Sequence, residues 1–462
     1  MSAASLPLIP GASLPASGLL RGDGAMPGFA AALDIAAMSR ILDRYLFDGA
    51  GSCRKLSLVR FRHRPSKRLI AVYNVDAMTR TGDRARLVVT VRLRPERTAH
   101  KSSSNVEERT ADGWASVVRV PDLGMTLEVF PRDGRLPHLA RYADLRSGAL
   151  LSLLQRADIP MGGSRASIEL DPIRYRPGLS ATFVVVQKQE SGELQSPVGY
   201  LKVMPSDELR HETAKIDRVN AALIASGAVV RLSRPASEDD IGATIYKPAR
   251  GVPSEVALQR GLSPVEVAQT AAKALATLHQ IGPCGLPDVF NSYVASRIEW
   301  AANNIIWACP ELAEKVTLAT AAATRVIESP VRVPIHCDMK PDHIFVDADR
   351  CVELIDSGSV CLGNPVIDLA GLIVRVELAA QAGRIAFVSA ERFCSELREA
   401  YFTRVPRSWR ASEGPALAYT SLLVSTHLIQ RLAPDWYQLV NFFVDRAATK
   451  FRSGYYDSAA SA

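Results

Sequence analysis

Long apolar runs are missing from this chain of 462 residues, and no stretch approaches the 18 consecutive apolar residues that a membrane-spanning helix needs. The opening residues, MSAASLPLIPGASLPASGLL, carry no basic residue ahead of their apolar stretch, so they do not read as a secretory signal. The seven cysteines are odd in number, scattered and never spaced as Cys-x-x-Cys, which argues against a disulfide framework and against a structural zinc site. These absences together lead to the expectation of a cytoplasmic protein with reduced thiols. Aromatic residues make up only 6% and do not interleave with the basic ones as a base-stacking platform requires, so nucleic acid is not expected as a partner.

What is present is ordinary globular material, with 47% apolar and 22% charged residues. A chain of this length exceeds one hydrophobic core, and about two to four units are expected. The net charge of +7 is concentrated: residues 54–101 hold 14 Lys and Arg against the three acids Asp76, Asp83 and Glu96. Such a patch can attract nucleic acid, anionic lipid or an anionic substrate, or serve a protein partner. The plainer reading is a sheet edge protected by charge.

Residues 1–28 are rich in Ala, Gly, Pro and Ser without periodicity and read as a flexible arm. Helical spacing over 29–47 leads into two runs that resemble each other. VRFRHRPSKRLIAVYNV followed by LVVTVRLRP, and IRYRPGLSATFVVVQ followed by VGYLKVMP, each read as strand, tight turn after Arg-Pro, strand, loop and third strand ending at proline. Aligning the final prolines sets Lys202 opposite Arg92, so residues 29–160 read as an α/β unit that duplicates, in degenerate form, a unit at 161–248. A connector over 121–154 ends in a helix, and helical patterns dominate residues 249–462 apart from a β-rich island at 333–356.

That island carries the chemistry. Val333 to Ala370 reads VPIHCDMKPDHIFVDADRCVELIDSGSVCLGNPVIDLA, placing His336, Asp338, Lys340, Asp342 and His343 in one loop ahead of two short strands that end on Asp356. A hairpin brings the loop and the strand end together, so Asp338 and Asp356, 18 positions apart, can face one cavity. Phosphoryl transfer needs such parts: one carboxylate at the attacking hydroxyl, a second on the metal, and a strand lysine on the phosphates.

HCDMKPDHIFV resembles the catalytic loop of aminoglycoside phosphotransferases and their choline kinase-like relatives, in which His-x-Asp is followed five residues after the Asp by a metal-binding Asn. LIDSG resembles their metal-binding Asp segment, GNPVIDLA the element that follows it, and KALATLH the helix that precedes the loop, over residues 170–450. The resemblance implies an α+β, two-lobed protein-kinase-like fold with an additional N-terminal β-rich unit, and a kinase that transfers phosphate from ATP, with Mg²⁺, to the hydroxyl of a small molecule. It implies Asp338 as base, His336 as a brace for the loop, Asp356 as the principal Mg²⁺ ligand and His343 beside it. Lys340 matches a lysine of protein kinases that neutralises the transferring phosphate. Lys202 matches the strand lysine, Glu212 its helix partner with Glu208 as fallback, and Gly178 and Ser180 lie in the turn expected over the phosphates, with residues 243–251 near the adenine. Asp368 and His279 are expected to be structural.

Two departures leave a second reading open. His343, a poorer donor for a hard cation, stands where the family has Asn, and Ser357-Gly358 follows Asp356 in place of an aromatic-acid or aromatic-glycine pair. The second reading is a pseudokinase, a scaffold or nucleotide sensor with little transfer activity.

Overall fold

The computed structural model describes residues 22–95, 109–110, 112–143, 148–159, 168–188, 194–432 and 435–453. Residues 1–21 of the expected arm lie outside the described residues, but residues 22–28 are packed against the fold. Met26 is buried. Asp23 accepts the backbone N–H of Ser66 at 2.7 Å and meets His63 Nε2 at 2.8 Å. Residues 22–28 are therefore ordered, unlike the expectation from composition, because one buried side chain and a doubly bonded carboxylate offset the entropy of ordering them. The helix expected over 29–47 is broken into Phe29–Leu33, Ile35–Ile41 and a π-helical turn Leu42–Phe47. Asp34 turns extended between the first two and caps the second by accepting the N–H of Ala37 at 2.8 Å.

Two five-stranded antiparallel sheets follow with one plan. The first contains Gly51–Arg64, Arg68–Thr79, Arg84–Leu93, Val117–Val120 and Met125–Val129, with the last strand inserted between the third and fourth. The second contains Ile168–Arg176, Ser180–Lys188, Leu194–Val203, Ser237–Glu238 and Ala243–Tyr246 in the same spatial order. Registers coincide as well. One cross-strand row of the first sheet reads Arg62, Ile70, Arg92, Thr126, Arg119. The matching row of the second reads Arg174, Thr182, Lys202, Thr244, Glu238. Only the second carries a helix, Ser206–Ala225, after its third strand among the described residues.

The connector sorts by packing with the second sheet. Leu150, Leu153 and Leu154 of its helix Gly148–Arg156 share one core with Phe183, Val185 and Leu201. The first sheet instead shares a core with the helical lobe, where Trp307 stacks edge-on against Phe29 with centroids 5.5 Å apart and lies 4.2 Å from the His63 ring. Phe61 and His63 point into that core from the edge strand, which forces the alternating Arg60 and Arg62 to the other face.

The large lobe is built from Pro264–Gln280, Phe290–Ala308, Ala313–Thr324, Val366–Gln381, Phe387–Phe402, Glu413–Arg431 and Trp436–Ser453. Within it the expected hairpin forms from Ile344–Val346 and Val352–Leu354. It is flanked by two strands that the sequence did not announce, Val252–Pro253 and Val230–Leu232, each too short for a periodic signal. The protein is thus an α+β, two-lobed kinase-like fold with an additional N-terminal sheet. Among the described residues no helix is long and apolar enough to cross a membrane.

Candidate active site

The loop after strand Val333–Ile335 is fixed from below by one buried carboxylate. Asp368, in the first turn of Val366–Gln381, accepts the backbone N–H groups of His336 at 2.6 Å and Cys337 at 2.9 Å. His279 Nε2 lies 3.1 Å from the same carboxylate, and its other ring nitrogen is 2.8 Å from the Tyr401 hydroxyl. His279 and Asp368 are therefore scaffold, as expected. His336 donates from Nε2 to the carbonyl of Ile355 at 3.0 Å, tying the loop to the residue before Asp356.

Above this scaffold the charged groups converge. Lys340 Nζ donates to Asp338 Oδ2 at 2.8 Å and lies 3.5 Å from His343 Nε2, which is 4.0 Å from Asp356 Oδ2. Lys202 donates to Glu212 Oε2 at 3.1 Å and lies 3.7 Å from Asp356 Oδ1. Glu208, the fallback partner, is exposed and takes no part in this pair. Asp338, Lys340, His343, Asp356, Lys202 and Glu212 thus form one continuous chain of charged and polar groups across the cleft. Asp356 sits in the left-handed region at φ 54°, a conformation that costs a non-glycine residue free energy and persists where the surroundings demand it.

Burial alone would raise the carboxyls of Asp338 and Asp356, but the cations beside them reverse the sign. Lys340 and Arg375 hold Asp338 well below the usual carboxylate range, and Lys202 with Arg174 does the same for Asp356. Burial would lower Lys202, yet Glu212, Tyr246 and Asp356 outweigh it and keep the ammonium above its ordinary value. His343 is pushed down to about 4 by burial and by Lys340, so it is neutral at neutral pH.

The hairpin turn departs from expectation. Gly178 donates its N–H to Asp133 Oδ2 at 2.6 Å, so that donor is not free for a phosphate. Ser180 is buried and its hydroxyl accepts from Arg176 Nε at 3.3 Å. Asp133 comes from the first unit, its side chain is fully buried, and it also accepts from Tyr175 at 2.8 Å and from Arg92 at 3.2 Å. Sequence reading missed Asp133, and it missed Arg174, whose guanidinium lies 3.4 Å from Asp356. Arg174 shares a cross-strand row with Lys202, a signal available once register is known.

A divalent cation in this cleft has one good donor. Magnesium is commonly held by one or two carboxylates together with substrate phosphates, and Asp356 fits that description. His343 does not, because an imidazole nitrogen suits softer metals. Among the described residues no group of three or more His, Cys, Asp or Glu side chains is arranged to hold a metal by itself.

Residues 188–410 match the model of the phosphotransferase enzyme family. No protein of curated function matches the chain. Among solved structures the chain is similar to an aminoglycoside phosphotransferase from Streptomyces rimosus at 21% identity, covering 60% of this chain and 98% of that one with a TM-score of 0.39. It is similar to a choline/ethanolamine kinase family protein from Mesorhizobium loti at 15% identity, covering 67% and 95% with a TM-score of 0.42. A choline kinase from Cryptosporidium parvum matches at 14% identity, covering 68% and 97% with a TM-score of 0.44.

Proposed function

From a chain that resembles the aminoglycoside phosphotransferases and choline kinases and matches the phosphotransferase enzyme family over residues 188–410, we propose an ATP-dependent phosphotransferase that acts on the hydroxyl of a small molecule. The observation that carries this reading is the Lys202 ammonium set between Glu212 at 3.1 Å and Asp356 at 3.7 Å, in the cleft that also holds Asp338. A strand lysine steadied by a helix carboxylate and facing a second carboxylate is what positioning a nucleoside triphosphate requires.

In this reading Asp338 accepts the proton of the acceptor hydroxyl as its oxygen bonds to the γ-phosphorus, and the bond from that phosphorus to the bridging oxygen of ADP breaks. Asp338 is a weak base with Lys340 and Arg375 against it. That suits a loose transition state, in which the hydroxyl keeps its proton until bond formation is advanced. Lys340 and Arg174 offer positive charge where the transferring phosphoryl group passes. Asp356 would hold Mg²⁺, which when bound neutralises phosphate charge. The shared register of the two sheets supports reading the first as a duplicate of the nucleotide-binding one, with Arg92 in the place of Lys202 but engaged by Glu128 and Asp133.

The test is thermal unfolding with ADP or ATP, with and without Mg²⁺, alongside Asp356→Ala, followed by phosphate transfer to a panel of hydroxyl compounds. Ligand at about a hundred times its dissociation constant stabilises by roughly 2.7 kcal/mol. A Mg²⁺-dependent shift that Asp356→Ala abolishes, with transfer to some acceptor, supports the proposal. A shift without turnover on any acceptor supports the nucleotide-sensor reading, which His343 in place of an amide favours. No shift under any condition removes both.

A further inference from the structure

Beyond Asp338 the cleft is closed by arginines contributed by every part of the fold. Arg375, from Val366–Gln381, places its guanidinium 3.8 Å from Asp338 Oδ1. Arg297 comes from Phe290–Ala308 with its guanidinium 4.5 Å from the Trp300 ring centre, and Arg431 ends Glu413–Arg431. The first unit adds Arg60 and Arg62 from its edge strand Gly51–Arg64, which packs against both of those helices. These residues feel one another. Burial and the neighbouring charges of Arg431, Arg62 and Arg174 push the Arg60 guanidinium down to about 9. Burial together with Arg68, Arg176, Arg64 and Arg297 takes Arg62 down to about 10.

Carboxylates do not balance them. Among the described residues Arg60, Arg62, Arg297 and Arg431 have no acidic partner. The Nε atoms of Arg60 and Arg297 are buried without a hydrogen-bond partner. Buried donors left unsatisfied and like charges held together are both costly, and a bound anion relieves both. A sheet edge kept soluble by charge would turn these side chains to bulk solvent; here Arg60 and Arg62 are half-buried, and Arg60 lies within the influence of Arg174, the residue 3.4 Å from Asp356.

We propose that the acceptor is itself an anion, a small hydroxyl compound already carrying a phosphoryl group, which Arg62, Arg297, Arg375 and Arg431 hold while its hydroxyl meets Asp338. The inference rests on the phosphotransfer reading and deepens it. Guanidinium forks arriving from several directions match a tetrahedral dianion better than a planar carboxylate. The same charges repel a polycationic acceptor such as an aminoglycoside. The first sheet thereby acquires a role as one wall of the acceptor site, the part of the molecule that the phosphotransferase-family segment lacks.

The experiment is calorimetric titration of the full chain, with ADP and Mg²⁺ saturating, against matched pairs: glucose 6-phosphate and glucose, glycerol 3-phosphate and glycerol, inositol 1-phosphate and inositol, with kanamycin as the polycation. Arg62→Ala and Arg431→Ala are run in parallel, each with its unfolding midpoint measured so that a loss of binding is read only from a variant that keeps the wild-type fold. The expected result is tenfold or greater preference for at least one phosphorylated partner. That binding should weaken at least tenfold in either variant and fall as NaCl is raised, while ADP affinity stays within twofold. No preference for a phosphorylated compound, tighter binding of kanamycin, or phosphate-ester binding untouched by both substitutions overturns the inference. ADP binding in those cases leaves the phosphotransfer reading standing. Conversely, phosphate-ester binding by a protein that binds no ADP keeps the anion site and removes the phosphotransfer reading.

Discussion

Asp133 and Gly178 join the two sheets, the carboxylate of one unit accepting the backbone N–H of the turn of the other at 2.6 Å. The contact fixes a turn that lies next to Arg174 and Arg176 and so close to Asp356. Gly178 has φ 72°, and a Cβ there would come within 3.1 Å of the Arg135 side chain, so the close approach depends on glycine. The first unit is in this way part of the frame of the charged cluster around Asp356.

Removing the carboxylate should show this. Asp133→Ala leaves Tyr175 and the Gly178 N–H without this acceptor and Arg92 with Glu128 alone, in a dry environment, and stability should fall by about 3–5 kcal/mol. Asp133→Asn, which keeps an acceptor oxygen, should lose less. Urea unfolding at neutral pH measures both. A loss below about 1 kcal/mol for the alanine variant would show the network to be dispensable.

Asp338→Asn separates chemistry from binding. The amide keeps the shape but cannot take the hydroxyl proton, and it removes the negative charge that Lys340 meets at 2.8 Å. Turnover should drop by about 10²–10⁴ while the ADP·Mg²⁺ dissociation constant stays within a few-fold. Equal loss of nucleotide affinity would move Asp338 from the acceptor hydroxyl to the nucleotide.

His343 is neutral and presents a nitrogen 4.0 Å from Asp356 where an amide oxygen serves a hard cation better. His343→Asn should tighten the Mg²⁺ requirement by on the order of tenfold, the scale on which ligand-shell changes act. The wild-type chain should favour Mn²⁺ over Mg²⁺ more than the variant does. Initial rates titrated with each metal decide it, and identical metal profiles would place His343 outside the metal's reach.

Acid should destabilise the protein in two stages. Burial holds His63 below its ordinary value despite Asp23, and holds His427 well below it with Arg375 and Arg297 adding to the effect and Asp338 opposing it. Between about pH 6.5 and their folded values the unfolded chain binds more protons, so stability is full above pH 6.5 and falls as pH drops through that window, with each histidine contributing a slope of about 1.4 kcal/mol per pH. The depressed carboxyls of Asp338 and Asp356 follow below about pH 4. Denaturant midpoints at pH 7.5, 6 and 5 should decline, with a shallower slope in His427→Gln. A flat profile over that range would mean that these histidines protonate without cost.

The convergence of the charged loop with Asp356 was legible in the sequence because its parts are close in the chain: Asp338, Lys340 and His343 lie within six residues, and the turn of a short hairpin delivers Asp356. Lys202 and Glu212 were legible because a strand running directly into a helix fixes their geometry. The Asp133 clamp was not, since it spans 45 residues and two sheets and no local pattern marks which carboxylate will be buried. The arginine-rich strand was visible as composition, but which face of it would meet the cleft depended on Phe61 and His63 finding Trp307, a contact with the far lobe. The helix break at Asp34 was likewise a capping choice that apolar spacing does not report.

Gly358, two residues after Asp356, supplies the most discriminating test. A Cβ built there would lie 2.3 Å from the Glu212 carboxyl carbon, so any side chain must displace the carboxylate that steadies Lys202. The Gly358 carbonyl also accepts from Lys215 Nζ at 2.6 Å, so the backbone cannot simply retreat. Gly358→Ala should cost about 1–3 kcal/mol, as overpacking does, and abolish most of the Mg²⁺-dependent nucleotide stabilisation. Glu212→Ala removes the obstacle, so the double variant should unfold no earlier than Glu212→Ala alone, a coupling of more than about 1 kcal/mol. Additive losses would show that Gly358 matters for some reason other than the space Glu212 needs.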